Sequence, residues 1–328
     1  MKNIQADIKS GNFKQVYLLY GEEAYLKQQY KQNLVKALNP DGDTMNFNHY
    51  EGKGIDVKQL IDLCETMPFF AERRVVLLED TGFFKNKCEE LADYMTELPD
   101  YLYLVFAETE VDKRNRMYKA VKACGSIAEF IRQDEKTLMR WAAGILGKAG
   151  KKITQRDMEL LLTKTGTDMG NLRMEMEKLI SYTEGRDVVT AEDIEEICTT
   201  QTTNRIFDMV RAVTEKNQKR ALELYYDLLT LKEPPMRILF LLAKQYRQLL
   251  LAKQFAAAGL AQTEIASKLG VPGFVVRNIT TCARAYTISE LEQAVKDFVD
   301  AEESVKTGRL EDKLSVELLI IKYSSKVK

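Results

Sequence analysis

The chain is short of the residues that most enzymes and metal sites use. His49 is the single histidine among 328 residues, and none of the five cysteines is spaced as Cys-x-x-Cys. One imidazole and dispersed thiols cannot build the usual zinc sites, and a histidine-based triad has one candidate without an obvious partner. We therefore expect no metal, no cofactor and no catalysis, and we expect His49 to be a surface or hydrogen-bonded residue. Scattered cysteines in odd number indicate reduced thiols in a cytoplasmic protein.

Long apolar runs are missing as well. No segment approaches the ~18 consecutive apolar residues of a membrane span, and residues 1–7 lack the apolar core of a signal peptide. The net charge is −1, so no overall basic field favours nucleic acid, and a nucleic-acid role would need a local patch. An apolar fraction of 45% suits packed cores, and the length predicts two or three domains.

The first ~135 residues alternate strands and helices. Apolar runs at residues 16–20, 75–78, 101–106 and 127–130 are typical of buried strands. Residues 25–38 and 116–123 have apolar side chains at helical spacing. This alternation predicts a parallel α/β sheet.

The turn after the first strand lacks a phosphate-binding loop. A P-loop needs Gly-x-x-x-x-Gly-Lys-Ser/Thr after a strand, whose amides and lysine hold phosphates. Here Gly21 is followed by Glu22, Glu23 and, further on, Lys27, without a second glycine or a Lys-Ser pair. Carboxylates suit a helix N-terminus but repel a triphosphate. The acidic end of another strand, Glu79-Asp80, resembles a Walker-B strand that has no nucleotide to serve. We predict a nucleotide-binding fold without its nucleotide site.

From residue 134 onward the patterns are helical only. Asn171 is expected to cap one helix, and Thr190 with Asp193 another. The start of the first of these helices is similar to the sensor-2 helix of AAA+ ATPases, but without phosphates to meet we expect Arg173 to be structural. Residues 204–328 read as a helical bundle, with Pro234-Pro235 at a helix start.

Two features of this bundle allow a nucleic-acid hypothesis. Lys244 and Arg247 could line a path for DNA phosphates, although a solvated helix face is the alternative. Residues 263–279 have the two helices and glycine turn of a helix-turn-helix DNA reader. Their second helix, however, begins Gly273-Phe274-Val275, where base-contacting polar side chains belong. We expect plain helix packing there and keep a DNA-binding regulator as the alternative function.

Two adjacent phenylalanines stand between a predicted helix and the strand at residues 75–78. The helix face is expected to include Val57, Leu60, Ile61, Cys64 and Met67, after which Pro68 interrupts the helix. Phe69 and Phe70 are neighbours and cannot both face one core, and Glu72, Arg73 and Arg74 follow. The residues permit two interpretations: a protein-binding plug rimmed by charge, or a hydrophobic staple that closes the helix onto its own domain.

In their order and spacing, several segments resemble the delta subunits of bacterial DNA polymerase III clamp loaders. The resemblance covers nearly the whole length and rests on residues 18–26, 67–75, 112–114, 170–179 and 304–308. It implies a degenerate AAA+ domain with a RecA-like parallel sheet (1–135), a helical lid (136–203) and a helical collar for oligomerisation (204–328). It also implies that the subunit uses no ATP of its own and has no arginine finger, and the Ser-Arg-Cys motif of that finger is absent.

The resemblance implies a function in DNA replication. Family members bind the sliding clamp, or beta subunit, through a hydrophobic pair on a helix, which falls here on Phe69 and Phe70 with Met67 alongside. This favours the plug over the staple. The implied subunit opens the ring-shaped clamp for loading onto primed DNA, together with delta-prime and gamma/tau subunits, at replication forks on the nucleoid. It is non-catalytic, and the DNA-directed DNA polymerase (nucleotidyltransferase) activity belongs to the holoenzyme.

Overall fold

The computed structural model describes residues 2–199 and 202–325, and the chain divides into two compact units, Met1–Gln133 and Asp134–Lys328. The first unit is a parallel sheet between two layers of helices. Its strands are β1 (Val16–Tyr20), β2 (Phe47–Glu51), β3 (Arg74–Glu79), β4 (Leu102–Glu108) and β5 (Ser126–Glu129). Its helices are α1 (Lys2–Ser10), α2 (Ala24–Leu38), α3 (Val57–Cys64), α4 (Glu89–Tyr94) and α5 (Arg116–Cys124).

The strand order is β2-β3-β4-β1-β5, and every pairing is parallel. Side chains alternate between the two faces of the sheet, so β1 sends Tyr17 and Leu19 to the face that α1 and α2 cover. Val16, Leu18 and Tyr20 of the same strand point to the opposite face, in a core shared with α3, α4 and α5. Burial on both sides explains the uninterrupted apolar run that predicted this strand.

The turn between β1 and α2 requires glycine. Gly21 has a φ of +123°, and a Cβ added there would lie 2.3 Å from the carbonyl oxygen of Phe130. The turn and the end of β5 are joined by backbone hydrogen bonds, from Phe130 N to Tyr20 O at 2.7 Å and from Glu23 N to Phe130 O at 3.0 Å. Only glycine combines this conformation with so close an approach of two backbones.

The second unit is helical within its described residues except for a small parallel pair of strands. Its first part contains α6 (Glu135–Lys148), β6 (Lys152–Ile153), α7 (Gln155–Thr165), α8 (Met169–Tyr182), β7 (Val188–Val189) and α9 (Ala191–Ile197). Its second part contains α10 (Thr202–Thr214), α11 (Gln218–Thr230), α12 (Pro235–Ala257), α13 (Gln262–Leu269), α14 (Gly273–Ala283), α15 (Ile288–Lys306) and α16 (Asp312–Ser324). The helices α10–α16 share one apolar core. Among the described helices, none combines the length and apolar composition needed to cross a bilayer.

The predicted caps of the second unit are partly confirmed. Thr190 and Asp193 form the expected capping box of α9, and Pro235 begins α12 as expected. The prediction for Asn171 was wrong, because the cap of α8 is Asp168, whose side chain accepts from the backbone amide of Asn171. Asn171 instead donates its side-chain amide to Thr165 O at 2.7 Å.

We expect Gly21→Ala to lower the free energy of unfolding of the first unit by about 2 kcal/mol or more, since the new methyl group must displace the Phe130 carbonyl. The matched control is Gly54→Ala, at φ +94° with no atom within 4 Å of the added Cβ, which should cost about 1 kcal/mol. Hydrogen exchange of the β1 amides measures the loss of unfolding free energy in each variant. Equal losses in the two variants would contradict the proposed close contact.

Candidate functional site

Residues 66–70, which we call the plug segment, form an exposed loop at the amino end of β3. Met67, Phe69 and Phe70 are exposed by 73%, 57% and 93% of their surfaces. The two rings touch each other edge to face, with centroids 4.4 Å apart. Phe70 has a φ of +49°, a left-handed conformation that is uncommon for a bulky residue. The segment thus presents an apolar pair to solvent.

Two expectations about this segment were wrong, and its geometry does not fit the staple alternative. The helix α3 ends at Cys64, so the plug segment is a loop, and Met67 does not share the buried helix face of Leu60 and Cys64. The staple interpretation requires buried rings, whereas both phenylalanines are exposed. The charged rim is also smaller than predicted, because Arg74 is buried.

Arg73 is held on the flank of the plug segment by aromatic rings. Its guanidinium carbon lies 5.2 Å from the ring centroid of Phe13 and 5.4 Å from that of Tyr103, distances typical of cation–π contacts. Glu72 is exposed. Charge of both signs therefore borders the apolar pair, with the arginine fixed in place.

Sequence patterns did not indicate a fourth exposed apolar residue on this edge. Met45 is strongly exposed and precedes β2, as the plug segment precedes β3. Because these strands run parallel and Phe47 pairs with Val75, both segments lie at the amino edge of the sheet. Met45 stands in a polar stretch without periodicity, so no local pattern could single it out.

The opposite edge, at the carboxyl ends of the strands, is where open α/β sheets bind ligands. Lys31 of α2 donates to Glu79 Oε2 at 2.6 Å, and His49 Nε2 lies 2.9 Å from Glu79 Oε1. The His49 side chain is thus partly exposed beside a carboxylate, which fits the expected surface position. Lys27, the lysine nearest to a P-loop position, donates to Glu108 O at 2.9 Å. Burial lowers the pKa of its amine.

The acidic groups of this edge are also bonded within the chain. Asp80 Oδ1 accepts from Thr109 N at 2.9 Å. Glu108 Oε1 accepts from Thr81 Oγ1 at 2.6 Å, and its other oxygen accepts from Gly82 N. Burial raises the pKa of the Glu108 carboxyl even so. The backbone amide of Glu23 donates to Phe130 rather than pointing outward. The polar groups of this edge named above are therefore bonded to other groups of the same chain.

The other candidate residues predicted from the sequence lie in the second unit. Arg173 forms an ion pair with Glu177 one turn along α8, at 2.8 Å. In the helix-turn-helix-like segment, Ile265, Val276 and Ile279 are buried in the core of the second unit, which matches plain packing. The backbone of Phe274 lies in α14, and its side chain is outside the described residues. Lys244 and Arg247 are exposed on α12.

Because the rings are exposed, we expect Phe69→Ala and Phe70→Ala to change the free energy of unfolding of the first unit by about 0.5 kcal/mol or less. A staple would instead cost about 1.5–3 kcal/mol per ring. Phe84→Ala is the control, because Phe84 is fully buried against Phe106 and should cost about 3–5 kcal/mol. Hydrogen exchange of the sheet amides distinguishes these results, and a loss of staple size in Phe70→Ala would contradict the exposure of its ring.

Comparisons with known proteins agree on one family. The family model described as "DNA polymerase III, delta subunit" matches residues 17–130, and that described as "DNA polymerase III delta subunit, C-terminal domain" matches residues 203–323. The DNA polymerase III subunit delta of Bacillus subtilis is 26% identical, over 97% of this chain and 95% of that protein. The probable subunit delta of Aquifex aeolicus is 22% identical, over 78% of this chain and 75% of its own length.

A solved structure supports the fold. The Bacillus subtilis DNA clamp loader delta protein superposes with a TM-score of 0.67 at 24% identity, and the match covers 99% of both chains. This likeness, with the five-stranded parallel sheet, fits the degenerate AAA+ α/β fold expected from the sequence. The DNA-binding regulator finds no support among these relatives. Since two models of one subunit together span most of the chain, the protein belongs to the DNA polymerase III delta subunit family.

Proposed function

We propose that this chain is the clamp-loader subunit that binds and opens a ring-shaped sliding clamp, through the plug segment and without hydrolysing ATP itself. The observation that carries the proposal is the exposure of Phe69 and Phe70 on a loop of the first unit, whose other phenylalanines are buried or half-buried. A contiguous apolar surface bordered by charge is characteristic of protein-binding sites. The family to which the chain belongs and the name of its structural neighbour supply the partner.

The two rings are sufficient to anchor a protein partner. Moving each ring from water into an apolar pocket on the clamp contributes roughly 1.5–3 kcal/mol. Aromatic anchors of this kind are typical hot spots of interfaces. Met67 adds a flexible apolar side chain that adapts to irregular surfaces. We assign the clamp contact to Met67, Phe69 and Phe70.

Opening of the ring follows from differential binding. A ligand shifts a conformational equilibrium only by the difference between its affinities for the two states. If contacts beside the plug segment fit a clamp curvature that a closed ring cannot adopt, then binding energy favours the open ring. ATP acts through partner subunits that expose or hide this surface. The carboxyl edge supports this division of roles, since Lys27, Lys31 and Glu79 already bond within the chain.

The helical unit is proposed to join the other loader subunits, delta-prime and gamma/tau, with residues 136–203 as lid and 204–328 as collar. The helix α16 supports this role for the collar. Val316, Leu319 and Ile320 are buried in the core, whereas Leu314 and Leu318 are exposed on another side of the same helix. A helix that is apolar on several sides is typically covered on each of them.

Contact with primed DNA in the assembled loader is proposed for Lys244 and Arg247. Both are exposed and one turn apart on α12. Within the part of the chain that the structure describes, neither forms an ion pair, in contrast to Arg237 on the same helix, which is 3.1 Å from Glu233. Two unpaired cations on one helix face suit successive phosphates.

The direct test is clamp binding by isothermal titration calorimetry. Wild type should bind the clamp of the same organism, and Phe70→Ala should weaken binding by more than about 2 kcal/mol, as expected of a hot spot. Phe240→Ala is the control, because it removes another exposed ring, which lies in the second unit, and it should bind as wild type does.

The outcomes of this experiment separate the parts of the proposal. If the double variant Phe69→Ala/Phe70→Ala loses binding and the control Phe240→Ala does not, the result supports both the proposed function and the clamp contact of the plug segment. Unchanged affinity of the double variant would place the clamp contact elsewhere in the chain. A folded wild-type chain that does not bind the clamp would refute the proposed function.

The collar proposal predicts a separate defect. Leu314→Glu/Leu318→Glu should prevent assembly with the other loader subunits, measured by size-exclusion chromatography with light scattering, because two charges would enter an apolar interface. Clamp binding by the isolated variant should be unchanged. Val299→Glu on α15, which also introduces a charge at an exposed apolar position, is the control. If the double variant assembles normally, α16 is not the interface.

A further inference from the structure

The plug segment keeps an unusual conformation without secondary structure of its own. It lies between the end of α3 and the start of β3, and Phe70 adopts a left-handed conformation. A loop of this kind is normally mobile, and ordering it on binding costs entropy. Two buried polar side chains, Asn46 and Arg74, are exposed by only 4% and 5%, and both bond to the backbone of this segment.

Asn46 pairs with both backbone groups of Phe69. Its Oδ1 accepts from Phe69 N at 2.7 Å, and its Nδ2 donates to Phe69 O at 2.9 Å. The same Nδ2 donates to Asp43 Oδ2, which fixes the orientation of the amide. The backbone carbonyl of Asn46 accepts from Val75 N at 2.9 Å. Asn46 therefore ties Phe69 to the sheet.

Arg74 holds the earlier part of the segment. Its Nε donates to Thr66 O at 2.8 Å, and one terminal nitrogen donates to Met67 O at 3.3 Å. The other terminal nitrogen donates to Asn48 Oδ1 at 3.2 Å. The carbonyl oxygens of Thr66 and Met67 therefore face a buried guanidinium, while the Met67 side chain is exposed.

We infer that Asn46 is a positioning residue, which holds Phe69 and Phe70 in the conformation that the clamp binds before the clamp arrives. Asn46 is too deeply buried to contact the clamp, so any effect it has on affinity passes through the plug segment. Holding a loop in its bound conformation increases affinity by reducing the ordering cost of binding. The inference rests on the proposed function, because it concerns the same contact.

The test compares Asn46→Ala with Asn115→Ala in the full-length chain. Asn115 is a fair control because its Oδ1 also accepts from a backbone amide, Met117 N at 2.9 Å, and its Nδ2 also donates to a backbone carbonyl, Asn86 O at 2.8 Å. It follows β4 and lies away from the plug segment. We expect Asn46→Ala to bind the clamp about tenfold more weakly, the effect of losing two ordering hydrogen bonds, and Asn115→Ala to bind as wild type does.

A local readout separates positioning from a general loss of stability. Hydrogen exchange of the Phe69 amide should accelerate in Asn46→Ala and remain slow in Asn115→Ala, while exchange of the β3 amide of Leu77 responds alike in both variants. If Phe69 exchange accelerates but clamp affinity is unchanged, the positioning role is refuted. If wild type does not bind at all, the proposed function fails, and this inference fails with it.

A second variant keeps the test decisive should Asn46→Ala not fold. Exchanging the two side chains, Asp43→Asn/Asn46→Asp, conserves net charge, shape and the bond between positions 43 and 46. It retains an acceptor for Phe69 N but places a carboxylate oxygen against Phe69 O, where wild type has a donor. Clamp binding weakened about tenfold or more is expected, since the carbonyl must turn away. Wild-type affinity in this folded variant would overturn the inference.

Discussion

The parallel direction of the five strands is the constraint on which the other features of the first unit depend. In a parallel sheet all carboxyl ends of the strands lie at one edge and all amino ends at the other. Each connection must therefore run back along the full length of the strands. Glu79 and Glu108 end their strands at the carboxyl edge, whereas the plug segment and Met45 precede theirs at the amino edge. The surface assigned to the clamp is therefore separated by the length of the strands from the edge where related folds hold nucleotide.

The two edges differ in how their polar groups are satisfied. At the carboxyl edge, Lys31 pairs with the Glu79 carboxylate, and Lys27 donates to the backbone carbonyl of Glu108. The Glu23 amide donates to the carbonyl of Phe130. At the amino edge, buried side chains satisfy the backbone of a loop whose own side chains stay exposed. Because its polar groups bond to one another, the carboxyl edge contributes to the stability of the first unit. The same principle, applied to a loop, ties the backbone of the exposed apolar segment at the second edge to buried side chains.

Much of this fold could be predicted because its determinants are local. The buried strand at residues 16–20 and the capping box of Thr190 follow from short patterns in the sequence. The errors arose where a distant contact decided the structure. Phe69 is paired with Asn46, 23 residues earlier in the chain, and this pairing, with the burial of Arg74, makes a loop where a helix was expected. Asp168 rather than Asn171 caps α8, because both residue types suit the position and the helix begins three residues earlier than expected.

If binding of this chain alone opens the clamp, as proposed, the distance across one subunit interface of the clamp ring must increase. Fluorophores placed on the two sides of that interface would report energy transfer while the chain is added without nucleotide. We expect energy transfer to decrease in proportion to the bound fraction, and we expect no decrease with Phe69→Ala/Phe70→Ala. Saturated binding of the wild-type chain with unchanged transfer would show that this chain alone does not open the clamp.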